Sequence, residues 1–185
     1  MARLRSFQPF WSDTVIFWGA GATASLGIKT TEQLAHTILR LAQINENRQS
    51  RIEERVKEEF PNVGKQVQAE LAALFVLLGE EGDRRKAIRA LGFSEERVSE
   101  LKRLYDWTVT REVMKRCPGI YDGRFLLQDY YNLIDLHIKS GQGFAVNGRF
   151  IRPEELITAR RTLNMLIGII HAMDFQVMLT QKKRK

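Results

Sequence analysis

The sequence predicts an α/β chain that is mostly helical, with one strand buried on both faces, a glycine-rich turn and a small hairpin. Three observations predict it. Thr14, Val15, Ile16, Phe17 and Trp18 are β-branched or aromatic almost without interruption and stop at Gly19, as a strand inside a parallel sheet does. Gly19, Ala20, Gly21, Ala22, Thr23 and Ala24 then fit the spacing Gly-x-Gly-x-x-Gly/Ala, directly after that strand and ahead of a helical pattern. From Leu34 onward apolar residues recur at helical spacing over most of the remaining chain.

The chain of 185 residues is 44% hydrophobic and 28% charged, enough apolar material for the core of one domain and too evenly patterned for a disordered one. Its net charge of +7 and pI near 9.8 draw anionic partners in general. Nucleic acid is not singled out by that charge: much of the excess sits in Arg84, Arg85 and Lys86 and in the terminal Lys182, Lys183, Arg184 and Lys185, and for that tail cations in the last turn of a solvated helix are the plainer reading. Cys117 is the single cysteine, which excludes an intrachain disulfide and a four-cysteine zinc site and suits a reducing cytoplasm. No stretch has the apolar length of a signal peptide or a membrane span, so a soluble protein without membrane or metal partners is expected.

Four regions follow along the chain: the glycine turn at 14–30, a helical lobe at 31–140, a hairpin at 143–151 and a long helix at 153–181. Thr30 or Thr31 caps the first helix, which carries Leu34, Ile38 and Leu41. Helices are expected at 48–60, where Pro61 ends the first of them, at 64–78 and at 83–91. Ser94 opens a longer one that runs through Leu101, Leu104 and Val109 to Pro118, and Asp122 caps another that ends at Gly141. Asn147-Gly148 between alternating apolar residues signals the hairpin, and Pro153 with Glu154 and Glu155 starts the last helix, whose face includes Leu156, Leu163, Leu166, Ile167, Ile170 and Phe175. The helix at 64–78 has enough apolar surface to pack between subunits, although an ordinary core helix accounts for it more simply.

One strand of the buried kind needs partners, and no second such run is visible. The sheet is therefore either disguised within the helical pattern or completed by chain beyond these residues, and the second alternative, a truncated chain, is preferred.

The chemistry of the turn follows from sterics. Gly19 permits the sharp turn, Gly21 lets backbone approach a pyrophosphate with no Cβ in the way, and the N–H groups at the helix start attract the anion. Thr23 and Ser25 add hydroxyl donors. Glycines that merely shape a strand-to-helix turn are the plainer alternative, and the acidic residue expected about 20 residues further on in a dinucleotide fold is missing.

Residues 15–28, with Gly19, Ala20, Gly21, Thr23, Gly27 and Ile28 as the matching positions and Thr30 just beyond, resemble the N-terminal signature of the sirtuin-like superfamily. The resemblance implies an α/β Rossmann-like NAD-binding domain, with Gly19, Ala20, Gly21, Ala22, Thr23, Gly27 and Thr30 as its nucleotide-binding residues. It also implies either NAD-dependent deacylation of lysine or hydrolysis of NAD to ADP-ribose and nicotinamide, the latter often in bacterial antiphage defence. Ile28-Lys29-Thr30-Thr31-Glu32 lacks the aromatic residue and arginine of the deacylating members, so the NAD-hydrolysing branch is favoured; there Lys29 replaces a proline of the Gly-x-Pro-Thr ending.

The Asn and His-Gly motifs of that branch are absent. His36, His137 and His171 all fall on expected helices, and Asn132 with Asp135 reads as a helix face. Two functions remain open: the nucleotide-binding part of an NAD hydrolase that has its catalytic residues elsewhere, or a nonenzymatic helical domain that binds a nucleotide or a partner, including a second copy through the helical lobe.

Overall fold

The computed structural model describes residues 29–44 and 50–182, with side chains up to residue 177. In chain order the elements are α1 (Thr31–Ala42), α2 (Ile52–Glu59), α3 (Lys65–Leu78), α4 (Arg84–Leu91), α5 (Glu95–Leu104), α6 (Trp107–Met114), a 3-10 turn (Ile120–Asp122), α7 (Leu127–Ser140), β1 (Phe144–Val146), β2 (Arg149–Ile151) and α8 (Pro153–Lys182). Among the described residues the only sheet is the antiparallel pair β1–β2. This corrects the expected α/β Rossmann-like class: the described structure is helical, with a hairpin and no parallel sheet. Helices satisfy their own backbone groups and bury apolar stripes against one another, so a 3.6-residue pattern repeated along the chain builds a core without strands. The expected strand at 14–18 lies outside the described residues.

Two helices organise the packing. α8 lies against α5, α6 and α7, while α3 packs against α2, α4, α5 and α6. Between them sit Ile38, Leu41, Ile52, Phe75, Trp107, Ile134 and Leu163, all buried. Phe75 and Trp107 meet edge to face with ring centroids 5.1 Å apart. Burying a side chain of this size stabilises the fold by roughly 1.5–3 kcal/mol. The face of α3 that carries Leu71, Ala72, Phe75 and Leu78 is thus buried within this chain, while Lys65, Gln66 and Ala69 are exposed.

Three expected boundaries move, and the simplest is that the helix expected from residue 48 begins at Ile52. The helix read across 94–118 is two helices, because Asp106 finds better partners outside the ladder: its N–H donates to Thr162 Oγ1 at 2.8 Å and its carboxylate accepts the Val109 N–H at 2.9 Å, capping α6. Asp122 caps nothing; it ends the 3-10 turn at Gly123, and α7 starts at Leu127 without a side-chain cap. The hairpin forms as expected, with Asn147 at φ 47° and Gly148 at φ 80°, the left-handed pair a two-residue turn requires. Pro153 opens α8 and Leu156, Leu163, Leu166 and Ile170 face the core, whereas Phe175 is exposed.

Candidate nucleotide site

Of the residues expected to bind nucleotide, Gly19, Ala20, Gly21, Ala22, Thr23 and Gly27 lie outside the described residues. Thr30 is described, and with Lys29 it shows how the chain leaves the glycine segment. Thr30 is the N-cap of α1: its hydroxyl accepts the Gln33 N–H at 3.3 Å while Gln33 Oε1 accepts the Thr30 N–H at 2.9 Å, a reciprocal capping box.

Lys29 is held across the whole sequence by α8. Its backbone N–H donates to Asp174 Oδ2 at 3.1 Å and its ammonium donates to Asp174 Oδ1 at 2.6 Å, with the ammonium also 5.3 Å from the centre of the Phe60 ring. The Asp174 side chain is only 10% exposed, so this pair is partly desolvated and less screened by salt than a surface ion pair. A proline at position 29 would have neither donor. Lys29 therefore fastens the end of the segment to α8 in a way that a proline there could not.

His171, one turn before Asp174 on α8, has an enclosed Nδ1 with no hydrogen-bond partner. His36 is exposed on α1. His137 uses its Nδ1 against the Gln142 carbonyl at 3.1 Å and lays its ring beside Phe144, so it fastens the end of α7 to the hairpin. Asn132 and Asp135 are both on α7, Asn132 accepting from Gln128 and Asp135 from Arg160. None of these places an acid, base and nucleophile together.

A second polar centre escaped the sequence reading. Glu80, in the turn after α3, has a side chain only 6% exposed that accepts from Arg55 Nη2 at 2.7 Å, Trp107 Nε1 at 3.0 Å and Arg111 Nη1 at 3.0 Å. Arg55, equally buried, also donates to the Leu41 carbonyl at the end of α1. The one available signal was Arg55 itself, which falls on the apolar face of α2 between Ile52 and Val56. The cluster ties together α1, α2, the turn after α3, and α6; it is a framework under the lobe, with every carboxylate oxygen already occupied.

Burial pushes the Cys117 thiol up to about 12 and the Tyr131 hydroxyl up to about 12, and it holds the enclosed Tyr130 hydroxyl well above its ordinary range. All three are inert near neutrality. Among the described residues no group of three His, Cys, Asp or Glu side chains can hold a metal ion, and no helix is long and apolar enough to cross a membrane. No family model matches the chain, and neither a curated protein nor a solved structure is significantly similar to it.

Proposed function

We propose that this chain holds a pyrophosphate-bearing nucleotide, NAD or ADP-ribose, on the backbone of Gly19 to Thr23, as the nucleotide-binding part of an NAD hydrolase. The observation that carries this reading is the spacing Gly19-Ala20-Gly21-Ala22-Thr23-Ala24, which clears side chains from the place a pyrophosphate needs. The fastening of Lys29 to Asp174 supports it, since a phosphate-binding turn gains affinity when its ends are fixed before the ligand arrives. The histidines and Asn132 sit on helices without converging, which supports giving this chain the binding role and not the bond-breaking one.

Titration calorimetry of NAD and ADP-ribose into the wild type and Gly21→Val, with thermal melts of both, tests the reading. Binding by the wild type and its loss in a variant that melts normally are expected. Lower stability with unchanged affinity would reduce the glycines to a turn. Nicotinamide release by the purified chain, abolished by His171→Ala or Asn132→Ala, would instead make it a complete hydrolase.

A further inference from the structure

One flank of α8 changes its partner part-way along. In the first half Arg160 donates to Asp135 and Asn164 accepts from Tyr131, both on α7. These pairs run antiparallel, so α7 reaches its first residue, Leu127, near the level of Gly168. Further on, the same flank carries His171 and Asp174 at helical spacing, and there Asp174 holds Lys29. His171 stands one turn before that bond, about 4.5 Å along the axis. Lys29 is six residues past Thr23 and two past Gly27, so Thr23 lies within about 21 Å of it and Gly27 within about 7 Å.

His171 is half-buried, its Nδ1 is enclosed, and the ring has no hydrogen-bond partner among the described residues. An enclosed nitrogen left in that state costs about 1–3 kcal/mol. Asp174 on the next turn does not relieve it, since both of its oxygens are taken by Lys29. The other enclosed polar atoms without a partner stand elsewhere: Arg55 and Arg111 belong to the Glu80 cluster, and Tyr130 is wholly buried in the core. Only His171 lies beside the end of the glycine segment. If the amides of that segment take the phosphates of a nucleotide, the sugar hydroxyls are the ligand's next hydrogen-bonding groups. A hydroxyl donates and accepts, so it satisfies Nδ1 in either tautomer, whereas a phosphate oxygen only accepts.

We propose that His171 is the residue through which α8 binds the nucleotide, its Nδ1 hydrogen-bonded to a ribose hydroxyl of the ligand on Gly19 to Thr23; this rests on the nucleotide reading above. Calorimetry of the full chain with ADP-ribose, ADP and inorganic pyrophosphate, beside ligand-free melts, tests it. His171→Phe keeps a ring and removes its nitrogens, so ADP-ribose should bind about fivefold or more weaker while pyrophosphate stays within about twofold. An equal loss for ADP places the hydroxyl on the adenosine ribose, and a loss for ADP-ribose alone places it on the second ribose. His171→Asn sets an amide close to the position of Nδ1 and should keep most of the affinity, as should His36→Phe on the exposed face of α1. Because Nδ1 is unpaired without ligand, the ligand-free melting temperature of His171→Phe should not fall. A lower melting temperature with ADP-ribose affinity unchanged would make His171 a core residue. An equal loss in His171→Asn would assign the effect to ring shape, and an equal loss for pyrophosphate would move the contact to phosphate; each of these overturns the proposal. Binding that Gly21→Val abolishes and His171→Phe leaves intact would overturn it and keep the glycine turn, whereas a wild type that binds none of the three ligands would end both.

Discussion

Glu80 is the residue on which most depends and the one its sequence context hides best. Gly79-Glu80-Glu81-Gly82 reads as a solvated turn, yet Glu80 is the acceptor that three donors from two helices share. Removing one member of a buried ion cluster strands the others, so Glu80→Ala should cost about 3 kcal/mol or more in urea unfolding, and Glu80→Gln clearly less because it still accepts hydrogen bonds. A loss no larger than that of an exposed carboxylate would mean the cluster is hydrated. The neutral groups make a second residue-scale prediction. Cys117 and Tyr131 stay protonated in the folded chain to about 12, whereas the unfolded chain releases these protons from about 9.0 and 10.0 respectively. Their contribution is therefore whole below pH 9.0 and is lost as the pH rises toward 12. Urea midpoints should fall in that window, and Cys117→Ala should move the onset upward toward the phenol range; a midpoint flat across it would contradict the burial.

At the scale of elements, most of the helical lobe was legible because its signals are local. Thr30, Asp83, Ser94 and Pro153 open helices, and Gly79, Gly92 and Gly141 close them, each through its own backbone geometry or a bond within four residues. The break between α5 and α6 was not legible. Leu101, Leu104 and Val109 continue the helical stripe past it, and the competing partner of Asp106 is Thr162, on another helix. Asp106→Ala removes the cap of α6 and should cost about 1 kcal/mol, measured as a lower urea midpoint with unchanged slope. If helical content rises in the variant and stability does not fall, the break is set by packing and not by the cap.

For the whole molecule, the sheet expected from a single buried strand was the part the sequence could not supply, since a strand states that it needs neighbours without stating where they are. What the structure adds is a long-range link the sequence leaves silent: Lys29 and Asp174, 145 positions apart, join the end of the glycine segment to the C-terminal half of α8. If the segment binds a nucleotide, fixing its end lowers the ordering cost of binding, and the same bond should appear in both stability and affinity. Asp174→Ala removes both acceptors and should lower the melting temperature modestly and weaken NAD or ADP-ribose binding about fivefold or more, a coupling of roughly 1 kcal/mol. Lys29→Pro deletes both donors, so it should match Asp174→Ala, and the double variant should be little worse than either alone. Additive losses would show that the two residues act separately. Loss of stability with affinity untouched would confine the clamp to the fold and detach it from the nucleotide.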